Sequence, residues 1–271
     1  MMDNFRMGVL GDTGLKVCRL GLAASYGAPA AAFEEAFEKG CNYFYLGSGR
    51  REAGMKTAVK NLQKQNQREK MVIAVQTYLR IGMMTEFFFR QTLKLLGIET
   101  ADVLIFGWHN SIPFSSLMDF ALKMKANGLC RFIGISGHNR TLFPLLAEKK
   151  IFDLFQIRYN PAHRGAETEC FPVLKNSRPR PGIVSYTATR WGQLLNQKHM
   201  PKGEAALTAA DCYRFVLSNP HVDICLCGPK NRDEMRQALT SLDSGPLDAT
   251  EMERANAIGD HVHRTVKSFF A

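Results

Sequence analysis

Short apolar runs recur along the chain, separated by stretches in which charged and apolar positions mix at helical spacing. The runs are Asn42–Leu46, Met71–Thr77, Asp102–Phe106, Phe132–Ser136, Phe152–Ile157, Gly182–Tyr186 and Val222–Cys227. Each is rich in β-branched or aromatic residues and lacks in–out alternation, the pattern of a parallel strand covered on both faces. Val17–Leu22 supplies an eighth. The stretches 31–39, 55–65, 85–96, 114–127 and 141–149 read as helices between them. Regular alternation of strand and helix predicts βαβ units. Eight such units in a chain of this length predict a closed (β/α)8 TIM barrel. An open doubly wound sheet is the alternative, weakened because no Gly-rich turn follows the first strand. No shift in composition marks a boundary, so residues 1–271 are read as one α/β barrel domain. The longest irregular stretch, Trp191–Ala209, is expected at the C-terminal face. Residues 246–271 read as a closing helix with Met252, Ala257, Ile258 and Val262 on one side, and Phe269 and Phe270 near its end.

Composition changes this picture little. Of the 271 residues 45% are hydrophobic, enough for a large core. No apolar run reaches spanning length, and residues 1–10 lack the apolar centre of a signal peptide. The expectation is therefore a cytoplasmic protein with no membrane engagement. Seven scattered cysteines without a CxxC pair read as buried, reduced thiols, and no spacing suggests a metal site. The net charge of +10 admits three kinds of partner: nucleic acid, an anionic membrane surface or an anionic small ligand. Because the cations are dispersed among acids, with no interleaved aromatic stripe, nucleic acid is set aside. A small-molecule ligand is expected. The sequence does not specify an oligomeric state.

Polar chemistry gathers at the strand ends. Tyr45, Arg50, Arg51, Gln76, Trp108, His109, His138 and Asn139 lie at or just past predicted C-termini and would converge on one barrel mouth. The loop after the sixth strand adds Arg158, Asn160, His163, Arg164 and Glu167. Arginine forks grip carboxylate or phosphate, so this loop is a candidate anion site.

Several segments, in order, resemble the aldo-keto reductase family. Leu10-Gly-Asp-Thr-Gly-Leu-Lys-Val-Cys-Arg-Leu-Gly-Leu22 is similar to the family's opening hairpin and first strand. Lys39-Gly-Cys-Asn-Tyr-Phe44, Arg68-Glu-Lys-Met-Val-Ile-Ala74 and Gly128-Leu-Cys-Arg-Phe-Ile-Gly-Ile-Ser136 continue the match. Gly182-Ile-Val-Ser-Tyr-Thr187 and Gly228-Pro-Lys-Asn231 resemble the nicotinamide and phosphate segments. The resemblance implies the barrel, a short N-terminal β-hairpin, a C-terminal helix and NADP(H)-dependent carbonyl reduction.

The catalytic tetrad that the family uses is absent. Its Asp position is Tyr45, its Tyr position Arg50, its Lys position Gln76 and its His position Gly107. Tyr45, Arg50, Gln76 and His109 are the catalytic candidates in their place, with His109 the better acid near neutral pH. Trp108, His138, Arg158, Asn160, His163 and Arg164 are candidates for the substrate. The cofactor positions depart less. By resemblance, Ser136 and Gln156 hold the nicotinamide amide and Tyr186 stacks on the ring. Thr187 and Gly192 belong to the phosphate loop. Gly228, Lys230, Asn231, Glu234 and Arg236 form the adenosine segment, where Lys230 favours NADP. Two readings follow. One is a divergent NADP(H)-dependent oxidoreductase acting on a polar or anionic carbonyl-type molecule through an atypical proton donor. The other is a non-redox pseudoenzyme, ligand-binding protein or lyase on the same barrel.

Overall fold

The computed structural model describes residues 5–47 and 51–267. Strands β1 (Met7–Val9) and β2 (Lys16–Cys18) form an antiparallel hairpin. Its Leu10, Leu15 and Val17 are buried in one cluster with the inward side chains Val72, Val103 and Ile224. The hairpin therefore stoppers the N-terminal end of a barrel. At its turn, Gly11 has φ +53°, and a Cβ there would collide with the backbone nitrogen of Gly182.

Strands β3 (Leu20–Ala23), β4 (Tyr43–Leu46), β5 (Val72–Thr77), β6 (Ala101–Phe106), β7 (Cys130–Gly137), β8 (Leu154–Arg158), β9 (Gly182–Tyr186) and β10 (Ile224–Cys227) follow. They form a closed parallel barrel, β10 pairing back to β3 with Leu226 opposite Gly21. The predicted first strand, Val17–Leu22, is divided: its first half belongs to the hairpin and its second to the barrel. Arg19 marks the break. Its guanidinium donates to the carbonyls of Leu217 and Val222, at 2.9 and 2.8 Å, and the chain turns there.

Around the barrel run α1 (Ala30–Glu38), α2 (Ala53–Lys64), α3 (Gly82–Leu96), α4 (Ser115–Ala126), α5 (Leu142–Glu148), α6 (Ala166–Glu169), α7 (Phe171–Asn176), α8 (Ala209–Ser218), α9 (Arg232–Ser244) and the closing α10 (Ala249–Thr265). The predicted irregular stretch holds two short 3-10 turns, Gln193–Leu195 and Gln197–His199. Buried Arg190 donates to the carbonyls of Val262 and Val266, fastening that loop to the C-terminal end of α10, where a cation also meets the helix dipole. All seven cysteines are buried and unbridged. Among the described residues no helix is long and apolar enough to cross a membrane.

The interior fills by pairing large with small. A Cβ on Gly21 would sit 2.8 Å from Ile224 and 3.1 Å from the Tyr43 ring; one on Gly134 would sit 2.6 Å from Leu154. The two-residue strand period then sets the site. On β5 the inward series is Val72, Ala74, Gln76; on β8 it is Leu154, Gln156, Arg158. The lower positions are apolar and the last inward position is polar, so polarity concentrates at the C-terminal mouth.

The opposite end is pinned by a repeated device. Asp102 Oδ2 accepts from Ile73 N, Asp153 Oδ2 from Ile133 N and Asp223 Oδ2 from Ile183 N, all at 2.8 Å. Each aspartate also pairs with a cation: Arg68 and Arg131, Lys125, and Arg180 respectively.

Candidate active site

At the mouth lies a cavity of about 230 Å3. Its wall is mostly aromatic, from Tyr45, Tyr78, Trp108, His138, Tyr186 and Trp191, and its polar side chains are Gln76, Ser136 and Gln156. No cation lines it among the described residues. Trp108 and His138 rings lie 6.1 Å apart and His138 and Tyr186 6.4 Å apart, a short aromatic file along one side. Trp108 (φ 58°) and Trp191 (φ 53°) are held in the left-handed region that non-glycine residues rarely enter. Such strain, about 1–3 kcal/mol each, persists where the surrounding structure imposes it and gathers at ligand sites.

Neutral hydrogen bonds link the polar side chains of the wall. The backbone N–H of Trp108 donates to Ser136 Oγ at 3.2 Å, and Ser136 donates to Gln76 Oε1 at 3.4 Å. The Gln76 side chain lies beside the Tyr78 hydroxyl and the Gln156 side chain beside that of Tyr45, each favouring the ionised phenol. Burial raises the pKa of both phenols above the ordinary value, against the lowering by the neighbouring Gln76 and Gln156 amides. The phenols stay neutral, so each keeps an O–H to donate. Gly107 follows directly on β6. A Cβ there would lie 2.7 Å from Gln76 Nε2 and 2.8 Å from the Tyr78 ring, so those side chains occupy the space a histidine would need.

The cavity brings together Tyr45, Gln76, Trp108, Ser136, His138, Gln156 and Tyr186 of the predicted residues. Arg158 is buried at the end of β8, close enough to Tyr186 and His138 to perturb both. Arg50 lies outside the described residues. His109 does not line the cavity. It is buried against Phe106, its Nε2 has no partner, and burial with nearby Arg80 pushes its pKa down to about 4. The geometry therefore does not support His109 as the acid at neutral pH. Nor does the expected anion loop face the cavity. Asn160 holds the Thr187 carbonyl at 2.8 Å and closes its own turn onto Ala162 N. His163 is buried, bonded to Asn160 and packed on His263. Arg164 binds Asp260 at 2.8 Å and two backbone carbonyls. These donors hold the loop to α10 instead of reaching a ligand. Two lining residues, Tyr78 and Trp191, were missed by the sequence reading. Tyr78 lies two positions beyond Gln76, and carrying the strand period past the strand end would have found it.

Burial lowers the pKa of His163 to about 3, assisted by Arg158 and Arg190. Both His109 and His163 lie below the ordinary imidazole value of 6.5. The unfolded chain therefore binds protons that the folded chain excludes, and their stability contribution is complete above pH 6.5 and falls as pH drops toward 3–4. Urea unfolding at pH 7 and pH 5 is expected to show lower stability at pH 5, by up to about 1.4 kcal/mol per pH unit per histidine. His163→Gln should flatten that slope; equal stability at both pH values would contradict the buried neutral imidazoles.

At the cofactor segments, Gln156 Oε1 is buried without a partner beside Ser136 and Tyr186, an acceptor suited to a carboxamide N–H. Tyr186 donates to the Gly137 carbonyl at 3.1 Å, which fixes its ring. Thr187 (φ 58°) and Gly192 (φ 82°) shape the following turn, whose backbone N–H groups at 190 and 192–195 bond within the turn. Gly228 lets the Tyr26 ring pack on the backbone. Asn231 caps α9, and Glu234 accepts from Lys230 N at 2.8 Å. The Lys230 side chain is exposed with no ion pair among the described residues. Arg232 and Arg236 both grip Glu35, at 2.8 and 2.7 Å. The nicotinamide end of the site thus fits that cofactor, while two of the adenosine-side cations are held by a carboxylate.

Residues 28–211 match the model of the aldo/keto reductase family. The chain belongs to this family. Among solved structures it is similar to the aldo-keto reductase AKR11C1 from Bacillus halodurans. The holo form aligns with TM-score 0.77 at 16% identity, over 93% of this chain and 96% of that one. The apo form gives 0.76 at 16% identity, over 93% and 95%. At this identity the likeness concerns the fold. A search of curated proteins by sequence finds no match.

Proposed function

We propose that this chain is an NADP(H)-dependent oxidoreductase that acts on a small, flat carbonyl-type molecule without a charged tetrad. The observation carrying this reading is the buried, unpartnered Gln156 oxygen at the cavity wall. The cofactor, when bound, supplies a hydride. Gln156 and Ser136 would hold its carboxamide, Tyr186 would flank the ring and Lys230 would face the 2′-phosphate. Tyr45 and Tyr78 would each offer a phenolic O–H to the substrate oxygen, with Gln156 and Gln76 fixing their orientation. The aromatic wall favours a planar ligand over the anionic one expected from the arginine-rich loop, because the arginines of that loop do not line the cavity.

The test is titration with NADPH and NADH followed by protein fluorescence. NADPH is expected to bind, and Lys230→Ala to weaken it about tenfold, the equivalent of about 1.4 kcal/mol. Gln156→Leu should weaken both nucleotides alike, because it touches the end they share. Absence of binding by either nucleotide would overturn the reading and favour a non-redox role for the cavity.

A further inference from the structure

The described loop residues that follow the barrel strands (24–29, 47, 51–52, 78–81, 107–114, 138–141, 159–165, 187–208 and 228–231) emerge on the mouth side. They hold eight Lys and Arg against two acids, Glu52 and Glu204. The loops at the mouth therefore carry an excess of positive charge. Arg51, Arg80, Lys198, Lys202 and Lys230 are exposed there, whereas Glu52 is buried.

The same end carries prominent apolar tips: Phe114 is 82% exposed, Met83 78% and Ile81 60%. Between them and the cavity stand Ile112, Trp108 and Tyr78, each about half exposed. These residues come from two loops and the first turn of α3, which the fold places side by side. Arg80 donates to the Gly107 and Trp108 carbonyls, both at 2.8 Å, and Gly82 packs on the Phe120 ring of α4. Phe87 and Phe88 extend the patch down α3.

An apolar surface of this extent marks a place of interaction. Charge selects the occupant. A second copy would bring one basic end against another. A nucleic acid would satisfy the cations but leave Phe114 and Met83 in water. An anionic bilayer satisfies both, with apolar tips in the interfacial layer, Trp and Tyr at the boundary and cations facing headgroup phosphates.

We propose that the mouth end of the barrel is a docking surface for an anionic lipid bilayer, seated through Ile81, Met83 and Phe114. It requires no spanning helix. The sequence-based expectation of no membrane engagement rested on the lack of a long apolar run, and this surface is assembled from short segments. Ile81, Met83 and Phe114 do not line the cavity, so either proposal can fail alone.

The experiment is co-sedimentation with phosphatidylcholine vesicles, pure or containing about one third phosphatidylserine. Binding is expected to the anionic vesicles only, weakened by added salt. Met83→Asp with Phe114→Asp should reduce it at least about tenfold, with an unchanged thermal midpoint because both side chains are exposed. Failure of the wild type to bind, or binding that the double variant retains, would overturn the proposal. So would light scattering that shows the double variant splitting a dimer while the wild type ignores vesicles, since a second copy would then be the occupant.

Discussion

Gly137→Asn, which places the family's usual residue after Ser136, is expected to destabilise this chain by about 3 kcal/mol or more. A Cβ at 137 would lie far inside van der Waals contact with the His109 carbonyl oxygen. That carbonyl belongs to the loop between β6 and α4, which crosses closely over the end of β7, and the backbone N–H of His109 bonds to the Ser136 carbonyl at 2.7 Å. The clash begins at the first side-chain atom, so Gly137→Ala should cost nearly as much as the asparagine. Thermal unfolding of both variants measures it, with a fall of several degrees expected. If neither midpoint moves, the loop yields freely and the glycine reflects something other than space. The glycine at this position thus fits how the loop packs beside Ser136 on the cavity wall.

The second large effect lies at the far end of the barrel. Asp102→Ala is expected to cost about 3 kcal/mol. The carboxylate is 2% exposed and accepts from Ile73 N at 2.8 Å, from Arg131 at 2.9 Å and from Arg68 at 3.1 Å. Removing it leaves a barrel N–H without its acceptor and two guanidinium groups without their shared partner. Asp102→Asn keeps an oxygen for Ile73 and should cost about half as much. Urea unfolding of the two variants separates the backbone bond from the ion pairs. Equal losses would assign the whole effect to charge. Fluorescence titration with nucleotide should be unaffected, because this end of the barrel lies away from the mouth.

The barrel was legible because a parallel strand covered on both faces leaves a local mark: a short apolar, β-branched run between polar stretches. Arg19 shows the limit. A single polar residue within Val17–Leu22 gave no local sign that the chain breaks there, because the carbonyls it bonds belong to Leu217 and Val222, about 200 residues away. The site was legible where strand period and family order agree, at Tyr45, Gln76, Ser136, Gln156 and Tyr186. It was illegible where a side chain chooses between cavity and packing. His109 and Arg164 are as polar in sequence as Gln76, yet one is buried against Phe106 and the other binds Asp260.

By itself the sequence determined the eightfold alternation and the family, because both depend on residue types in order along the chain. The tertiary structure alone decided three further things: that Tyr78 and Gln76 occupy the space above Gly107, that the arginine-rich loop binds α10, and that apolar tips from two separate loops share one basic end. Each depends on the distance between residues from different strands or loops, and that distance is fixed only when the barrel closes.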